Sequence, residues 1–539
     1  MPSATAIVVL RRPSGRFPSS TIVQDCCSEI RRLGLVVVCE LPFLVGIRGE
    51  VRQFETVLRT RLRPIGSDHY AVDDDWEVPS GLQPYVRGIV FGVHVTDFSW
   101  PDPSDEIIQK AFSADGTPTA HFKSDFGKGA DPLLNMLFLS DVRALLGAAD
   151  LNSTWDSGYL RGQGVDVYVV DSGIDLSHPF LVHNPYSVPI IVEESAMPDL
   201  SDSQYDIVGH GTMCACAVLN MAPACTLHVY HSGSGVAKLL DLGQAIVAAA
   251  DNKPGVVSAS WGVVNAPGLH LPEQELSDAY IGYHPHVVST QTDLVNALFD
   301  AMLTWAQQHE VPVVVASGNA LWRQVGKVPG RVPVEVPIAY SSVPGCMPQV
   351  ISVGGAYPVG LDCGTESACW TASEYAHAGT ALYVGPQGQE VTRNFPDVCG
   401  IVGQMANHGI CVPWSRYSSK GLVCPDTGET IAGWRVGGGT SFATPTVAGI
   451  LALLLQKYPL LPAHPFAQDV SPFSDPLREL LQQGSVDVET GTSFPPELDA
   501  TNGPDIATGA GVLNVTKLVA VADSLAKKSF LQNLADIGV

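Results

Sequence analysis

The chain has 539 residues, of which 45% are hydrophobic and 16% charged, as is typical of a globular protein with two or three domains. Its formal net charge is −24, so electrostatics argue against a nucleic-acid partner and against an anionic membrane. No apolar run is long enough to span a membrane, and the apolar stretch 6–10 is too short for the core of a signal peptide. We therefore expect a cytoplasmic protein, with secretion by a non-classical route as the alternative.

The first 80 residues predict a small α+β domain with the ferredoxin-like order β-α-β-β-α-β. Its expected strands are 5–12, 35–42, 43–49 and 68–79, and its expected helices are 20–34 and 50–62. The last of these strands carries the acidic run Asp73 to Asp75, whose carboxylates should face solvent or a helix N-terminus. Residues 81–150 are rich in Pro, Gly, Asp and Ser and are predicted to form a connector.

From residue 151 to about 525, short β-branched runs alternate with helical stretches, and residues 526–539 form a C-terminal tail. This alternation predicts an α/β domain with a mostly parallel central sheet and helices on both faces. Most of the strand-like runs end in Gly or a small polar residue. Because function in such sheets collects at the carboxyl ends of the strands, these polar residues are the first candidates for a site.

The twelve cysteines include no CxxC pair, so the sequence gives little support for a structural zinc site. Three cysteines lie near the N-terminus, three follow residue 210, and six lie between residues 346 and 424. The last six could form disulfides in an oxidising compartment, whereas the missing signal peptide favours free thiols.

Three separate segments carry the residues of a nucleophilic site. Asp171 ends the strand-like run "VYVVD", His210 opens the small-residue helix of "GHGTMCACAV", and Ser441 follows the glycines of "GGGTSFATPTVAG". Ser441 alone could be a helix cap, or a nucleophile at a helix N-terminus, while a phosphate-binding loop would need a Lys that is missing. A hydroxyl nucleophile needs a base, and the base needs an orienting carboxylate.

A fourth residue, Asn319, ends the run "VVVASGN" and could donate from its side-chain amide to an oxyanion, beside the backbone N–H of Ser441. Each of the four residues taken alone could be an ordinary cap or turn residue. Asp171, His210 and Ser441 follow one another in the chain order Asp, His, Ser, which is one of the known orders for such triads. This order, together with Asn319 on a fourth segment, favours a single catalytic site.

With these motifs, the chain resembles the subtilisin-like serine proteases, or subtilases, over roughly residues 150–525. The resemblance rests on "VVDSGIDLSHP", "GHGTMCACAV", "SASWG", "VVVASGN", "GGGTSFATPTVAG" and the closing "GAGVLNVTKLVAVA". It implies an endopeptidase for protein or peptide substrates, with Asp171, His210 and Ser441 as the triad and Asn319 as the oxyanion donor. It also implies substrate-binding roles for two short segments, Ser260, Trp261 and Gly262 on one side of the cleft and Ala316, Ser317 and Gly318 on the other.

Several residues depart from the family pattern. Cys214 falls where the proteinase K-like branch carries a free thiol, Met213 replaces a non-catalytic histidine, and Cys216 occupies a usual glycine. Asp175 resembles a calcium-ligand position, but the other ligands are not recognisable. The resemblance therefore implies no required cofactor and no catalytic metal, and leaves a structural calcium ion open. Surface insertions near the cleft are expected between Asn319 and Ser441.

Residues 1–80 also resemble in topology the prosegment of subtilases, an intramolecular inhibitor that plugs the cleft; an unrelated ferredoxin-like domain is the alternative. The resemblance implies a zymogen, which a cut in the connector would mature to a fragment of roughly 390–460 residues. A processing protease that cuts one partner fits this organisation. The alternative function is a subtilase-fold binding protein whose cleft stays occupied by the N-terminal domain.

Overall fold

The computed structural model describes residues 3–536 except for the following segments: 65–69, 73–75, 92–94, 98–136, 154–158, 185, 187, 197–204, 234, 266–284, 320, 326–333, 339–340, 361–362, 364, 375, 385–389, 404–408, 419–421, 424–429, 432, 462–475 and 495–497. The acidic run Asp73 to Asp75, most of the predicted connector and Cys424 lie outside the described residues.

The elements are numbered here in chain order. The α-helices are α1 (Ser20–Arg32), α2 (Val51–Leu58), α3 (Leu139–Leu145), α4 (Ala148–Ser153), α5 (Pro179–Val182), α6 (His210–Met221), α7 (Val236–Asp251), α8 (Pro285–Gln308), α9 (Thr440–Lys457), α10 (Pro476–Gln483) and α11 (Val515–Asp536). The strands are β1 (Ser3–Leu10), β2 (Val36–Leu41), β3 (Leu44–Glu50), β4 (Leu62–Pro64), β5 (Tyr70–Val72), β6 (Val86–Val90), β7 (Val95–Asp97), β8 (Leu137–Phe138), β9 (Asp166–Asp171), β10 (Ile190–Glu193), β11 (Thr226–His231), β12 (Gly255–Ala259), β13 (Trp261–Asn265), β14 (Val313–Ala316), β15 (Leu321–Val325), β16 (Val334–Ile338), β17 (Ser341–Val343), β18 (Ile351–Pro358), β19 (Trp370–Ala372), β20 (Gly379–Val384), β21 (Glu390–Phe395), β22 (Val398–Ile401), β23 (Ile410–Pro413), β24 (Leu422–Val423), β25 (Thr430–Ile431), β26 (Trp434–Gly437), β27 (Ser485–Val486), β28 (Thr492–Ser493), β29 (Leu498–Asp499) and β30 (Val512–Leu513).

The N-terminal unit is a four-stranded sheet with the strand order β2-β3-β1-β6, which follows the predicted β-α-β-β-α-β sequence. One predicted strand is wrong. The segment 68–79 does not supply the fourth strand, because the strand that it contains, β5, pairs with β4 instead. The fourth strand is β6, whose residue Val90 pairs with Ile7 of β1.

In the described part of the chain, the main sheet has ten strands. Nine of them run in the order β10-β11-β9-β12-β14-β18-β22-β30-β27, and β19 pairs with β18. The strands from β10 to β30 along this order pair in parallel, and β27 and β19 pair antiparallel. The α/β fold with a mostly parallel central sheet is therefore confirmed. The last helix runs to Asp536, so that most of the segment predicted as a tail continues α11.

Alternate residues of each central strand pack into different cores. In β9, Val167 and Val169 face the core that contains α6 and α9, whereas Tyr168 and Val170 face the core that contains α7 and α8. Burial on both faces explains why these strands are continuous apolar runs. None of the described helices combines the length and the apolar character that crossing a membrane would require.

The sheet of the N-terminal unit packs against α7 and α8 of the main domain. Phe43 contacts Trp305 edge to face with ring centroids 5.8 Å apart, and a Cβ at Gly46 would lie 3.0 Å from Leu240. Arg12 forms an ion pair with Asp300 at 2.9 Å. The N-terminal unit and the main domain therefore share one buried apolar core at this interface.

Candidate active site

Asp171 and His210 lie together at the carboxyl edge of the main sheet. Asp171 is the last residue of β9, His210 is the first residue of α6, and both side chains are buried. Nδ1 of His210 lies 2.8 Å from Oδ1 and 3.0 Å from Oδ2 of Asp171. The backbone N–H of Ser172 also donates to Oδ1 of Asp171 at 2.8 Å. The carboxylate is thus placed to hold the imidazole with Nδ1 protonated, which leaves Nε2 as the basic nitrogen.

The close pairing shifts both pKa values in favour of the charged forms. Burial by itself disfavours the imidazolium, but the carboxylate of Asp171 raises the pKa of His210 well above its usual 6.5. Burial likewise disfavours the carboxylate, but His210 and Lys238 together lower the pKa of Asp171 below its usual range. The dominant favourable cause is the opposite charge of the partner.

Ser441 lies in the first turn of α9, beside the same edge of the sheet, and is fully buried. Its Oγ donates to the carbonyl oxygen of Ser260 at 3.1 Å. The thiol of Cys214 lies 3.6 Å from Oδ2 of Asp171, 3.8 Å from Nδ1 of His210 and 3.6 Å from the carbonyl oxygen of Ser441. The three residues predicted as a triad therefore surround one buried thiol.

Asn319 lies against the turn that precedes Ser441. Its Oδ1 accepts hydrogen bonds from the backbone N–H of Thr440 at 2.8 Å and from the Thr440 hydroxyl at 3.0 Å. A Cβ at Gly439, where φ is +79°, would lie 2.8 Å from Nδ2 of Asn319, so glycine is required there by space and by backbone conformation. With Oδ1 held by Thr440, the amide presents its Nδ2 donors on the side of Gly439.

The predicted substrate-binding residues form two neighbouring segments. Trp261 and Gly262 begin β13, directly after Ser260, and Nε1 of Trp261 donates to the carbonyl oxygen of Val170 at 2.8 Å. Ala316 ends β14, and Ser317 and Gly318 continue from it toward Asn319. The backbone N–H of Ser317 donates to the carbonyl oxygen of Val353 in the neighbouring strand at 2.9 Å.

Both edges of β13 carry an antiparallel partner. On one side, Val263 of β13 pairs with Val343 of β17. On the other side, Trp261 pairs with Asp97, and Gly262 pairs with Thr96 of β7. A segment of the chain that follows the N-terminal unit therefore lies along the strand predicted to bind an extended substrate.

Sequence reasoning missed Asp206, a buried carboxylate four residues before His210. Its oxygens accept from Ser172 Oγ at 2.9 Å, from the N–H of Gly209 at 2.7 Å and from the N–H of Thr212 at 2.8 Å. Ser172 Oγ in turn accepts from the N–H of Gly211 at 2.9 Å. This network joins the end of β9 to the start of α6, and the available signal was an acidic residue just before a helix N-terminus.

Among the described residues, Asp171, His210 and Cys214 are close enough to one another to suggest a metal site. The chemistry of this donor set fits an ion poorly. Nδ1 of His210 already binds Asp171, and burial together with the charge of Asp171 raises the pKa of Cys214 to about 11, whereas metal ligation needs a thiolate. We therefore interpret the cluster as a hydrogen-bonded unit.

Several buried polar atoms around this cleft have no hydrogen-bond partner within the part of the chain that the structure describes. They are Nε2 of His210, Oγ of Ser260, Oγ of Ser317 and Nε1 of Trp414. Nε2 of His210 therefore has no hydrogen bond to Oγ of Ser441, which donates to the carbonyl oxygen of Ser260 instead.

An α/β sheet with an aspartate, a histidine and a serine at its carboxyl edge defines the class of serine hydrolases with an Asp-His-Ser site. The chain belongs to the subtilase family, whose family model matches residues 162–511.

The chain is also similar to individual proteins. The nisin leader peptide-processing serine protease of Lactococcus lactis subsp. lactis is 27% identical over 338 residues, which are 56% of this chain and 44% of that protein. The chain thus spans less than half the length of this curated relative. The epidermin leader peptide processing serine protease of Staphylococcus aureus has a similar fold, with a TM-score of 0.50, 18% identity and coverage of 97% of this chain and 99% of that one. Fervidolysin of Fervidobacterium pennivorans matches with a TM-score of 0.46 and 16% identity, over 96% of this chain and 61% of its own.

Proposed function

We propose that the protein is a serine endopeptidase. Ser441 Oγ attacks the peptide carbonyl, Nε2 of His210 takes the hydroxyl proton and later gives it to the leaving amine, and Asp171 orients the imidazole. Nδ2 of Asn319 and the N–H of Ser441 bind the oxyanion. The observation that carries this proposal is the bond of 2.8 Å between Asp171 and His210 beside a buried serine at a helix N-terminus.

The substrate is a protein or peptide bound in extended form along β13. In this arrangement the main chain of the substrate adds as an antiparallel strand at Ser260, Trp261 and Gly262, and Ala316 to Gly318 form the opposite wall of the pocket for the residue before the cut. The pairing of β7 with β13 supports this mode, since it shows that the edge of β13 accepts an antiparallel strand.

We further propose that the chain is made as a zymogen with its N-terminal unit as an intramolecular inhibitor. Two observations support this. The unit shares a core with α7 and α8, and the strand that follows it, β7, occupies the substrate-binding edge of β13. Because β7 already pairs with this edge of β13, a substrate strand could pair there only after β7 leaves.

A dedicated processing role fits this organisation better than bulk digestion. The relative that matches over 338 residues is named as a leader peptide-processing protease. An enzyme whose substrate-binding edge is occupied by its own strand β7 is suited to the cleavage of a single precursor. The proposal includes no required cofactor, because the residues named above supply the nucleophile, the base and the oxyanion donors.

The test uses a fluorophosphonate probe, which labels only an activated serine, on the wild-type chain and on Ser441→Ala. We expect labelling and peptide hydrolysis in the wild type after limited proteolysis between residues 98 and 136, and neither in the variant. A wild-type chain that never labels, even after this cut, would instead support the alternative of a binding protein whose cleft is permanently occupied.

A further inference from the structure

The hairpin that leads to Ser441 also reaches the histidine. Strands β23 and β26 pair antiparallel, from Ile410 with Gly437 to Pro413 with Trp434. Trp414 directly follows β23, and its backbone N–H donates to the carbonyl oxygen of Gly433 at 2.8 Å. At its other end the hairpin continues through two glycines into Thr440 and Ser441.

The indole of Trp414 lies against the residue that precedes His210. Gly209 has a φ of +93°, and a Cβ there would overlap Nε1 of Trp414 and lie 2.6 Å from its Cδ1. The indole and the imidazole of His210 meet edge to face, with centroids 6.5 Å apart and an angle of 88° between the ring planes. Gly209 is thus required both by its backbone conformation and by the space that the indole occupies.

Both sides of this contact are fixed by other groups. The guanidinium of Arg435 lies 4.8 Å from the centre of the Trp414 ring, and each of the two residues is only 5% exposed. The hydroxyl of Ser418 donates to the carbonyl oxygen of Val208 at 2.8 Å, which ties the segment after Trp414 to the segment before His210. The indole therefore has little room to move relative to the imidazole.

We propose that Trp414 is a positioning residue, which fixes the imidazole of His210 relative to Ser441. The proposal rests on the proposed function, because it assigns Trp414 an effect on the base of that same reaction. The hairpin of β23 and β26 leads into Ser441 at one end and contacts His210 through Trp414 at the other. The distance between Ser441 and His210 therefore depends on the contact between Trp414 and His210. A misplacement of about 1 Å in such a pair can cost about 10²-fold in rate.

The chain offers a matched control in Trp370. Like Trp414, it is buried and its Nε1 has no partner among the described residues, but it lies in β19, which pairs with the strand β18. Replacing either tryptophan removes a large buried side chain and destabilises the fold. Trp414 contacts Gly209 and His210, whereas Trp370 belongs to a strand that pairs with β18.

The experiment compares Trp414→Ala, Trp414→Phe and Trp370→Ala, each made as the full chain and then activated by limited proteolysis between residues 98 and 136. Active sites are counted by fluorophosphonate labelling. We expect Trp414→Ala to lower kcat per active site by about 10–100-fold with little change in KM, as expected for a displaced base. Trp414→Phe, which keeps an aromatic ring beside the imidazole, should recover most of this loss. Trp370→Ala should reduce the number of active sites and leave kcat per site unchanged.

A reciprocal variant keeps the test decisive if Trp414→Ala folds poorly. Gly209→Ala should displace the indole and lower kcat per active site. In the double variant, Trp414→Phe removes the Nε1 atom that the new Cβ would overlap and should reduce this loss. Equal kcat values per active site in wild type and in all Trp414 variants would overturn the proposal, as would the same loss of kcat in Trp370→Ala. If the activated wild type neither labels nor cleaves, the proposed function itself fails, which is a distinguishable result.

Discussion

The carboxylate of Asp171 accepts the Nδ1 proton of His210 at 2.8 Å, and both groups are buried. Asp171 raises the pKa of His210 above its usual 6.5. At a pH below this raised pKa the imidazole is protonated and cannot act as a base. Activity should therefore fall as the pH falls through the pKa of His210, and the acid limb of the kcat/KM profile should lie above pH 6.5.

Asp171→Asn tests the cause of this pH dependence. Removing the carboxylate charge should lower the pKa of His210 and move the acid limb of the residual activity to lower pH. It should also lower kcat by about 10⁴-fold, since the wrong tautomer of the imidazole is then favoured. The measurement is a pH profile of both proteins with one peptide substrate. An acid limb that does not move in the variant would assign it to another group.

Cys214 gives a second prediction, on inhibition by thiol reagents. Its pKa is raised to about 11, so it is protonated at neutral pH and, being buried, should not react with bulky alkylating reagents. A small mercurial that reaches it would sit between Asp171 and His210 and should inhibit the enzyme. Cys214→Ala should keep its activity in the presence of the mercurial, whereas Cys216→Ala, altered on the same helix, should remain sensitive. The reverse pattern would place the sensitive thiol at Cys216.

The motifs that carry the candidate site residues can be recognised in the sequence because each of them is local. Asp171 ends an apolar strand, and His210 and Ser441 follow glycines at the starts of small-residue helices, so the pattern of neighbours is enough to indicate them. The parallel sheet was predictable for the same reason, since β-branched runs and helical stretches alternate along the chain.

The remaining contacts depend on segments that are far apart in the sequence. The fourth strand of the N-terminal sheet is β6 because Val90 pairs with Ile7, and no feature of the segment 68–79 reveals that it pairs with β4. Strand β7 has three residues and exists only through its pairing with β13. Trp414 and His210 are likewise brought together by tertiary structure, so local propensity could not show their contact.

The position that resembles a calcium ligand supports a third prediction. Asp175 is buried, and its Oδ2 accepts from the backbone N–H of Arg416 at 3.1 Å and lies 3.3 Å from Nε of the same residue. Because a guanidinium already supplies the positive charge, we expect calcium and a chelator to give the wild type the same melting temperature.

Arg416→Ala tests whether the guanidinium of Arg416 takes the place that a calcium ion would otherwise have beside Asp175. The variant leaves the carboxylate of Asp175 without its cationic partner, so it should be destabilised by about 1–3 kcal/mol and should gain stability when calcium is added. Thermal unfolding of both proteins with calcium and with a chelator measures this. Calcium dependence in the wild type that survives Asp175→Ala would locate an ion elsewhere in the chain.

The last prediction concerns maturation. Thr96 and Asp97 pair with Gly262 and Trp261, so that the chain runs along β13 toward Ser260, whose carbonyl oxygen binds Ser441 Oγ. If β7 binds as a substrate does, the chain should be cut a few residues after Asp97. Loss of residues 1–97 from a chain of 539 leaves a mature form of about 440 residues, within the range expected for a removable N-terminal domain. Intact mass and N-terminal sequencing should find this fragment in the wild type and the full-length chain in Ser441→Ala.

The matched pair Thr96→Pro and Thr96→Ala tests whether strand pairing directs this cut. Proline lacks the backbone N–H and cannot complete an antiparallel ladder, whereas alanine keeps the main chain intact. We expect the cut to be slow or displaced in Thr96→Pro and normal in Thr96→Ala. Equal cutting of both variants would show that β7 does not direct cleavage. A wild-type chain that stays intact and is fully active would show that the N-terminal unit is a permanent part of the enzyme, because a removable inhibitor must leave before a substrate strand can pair with β13.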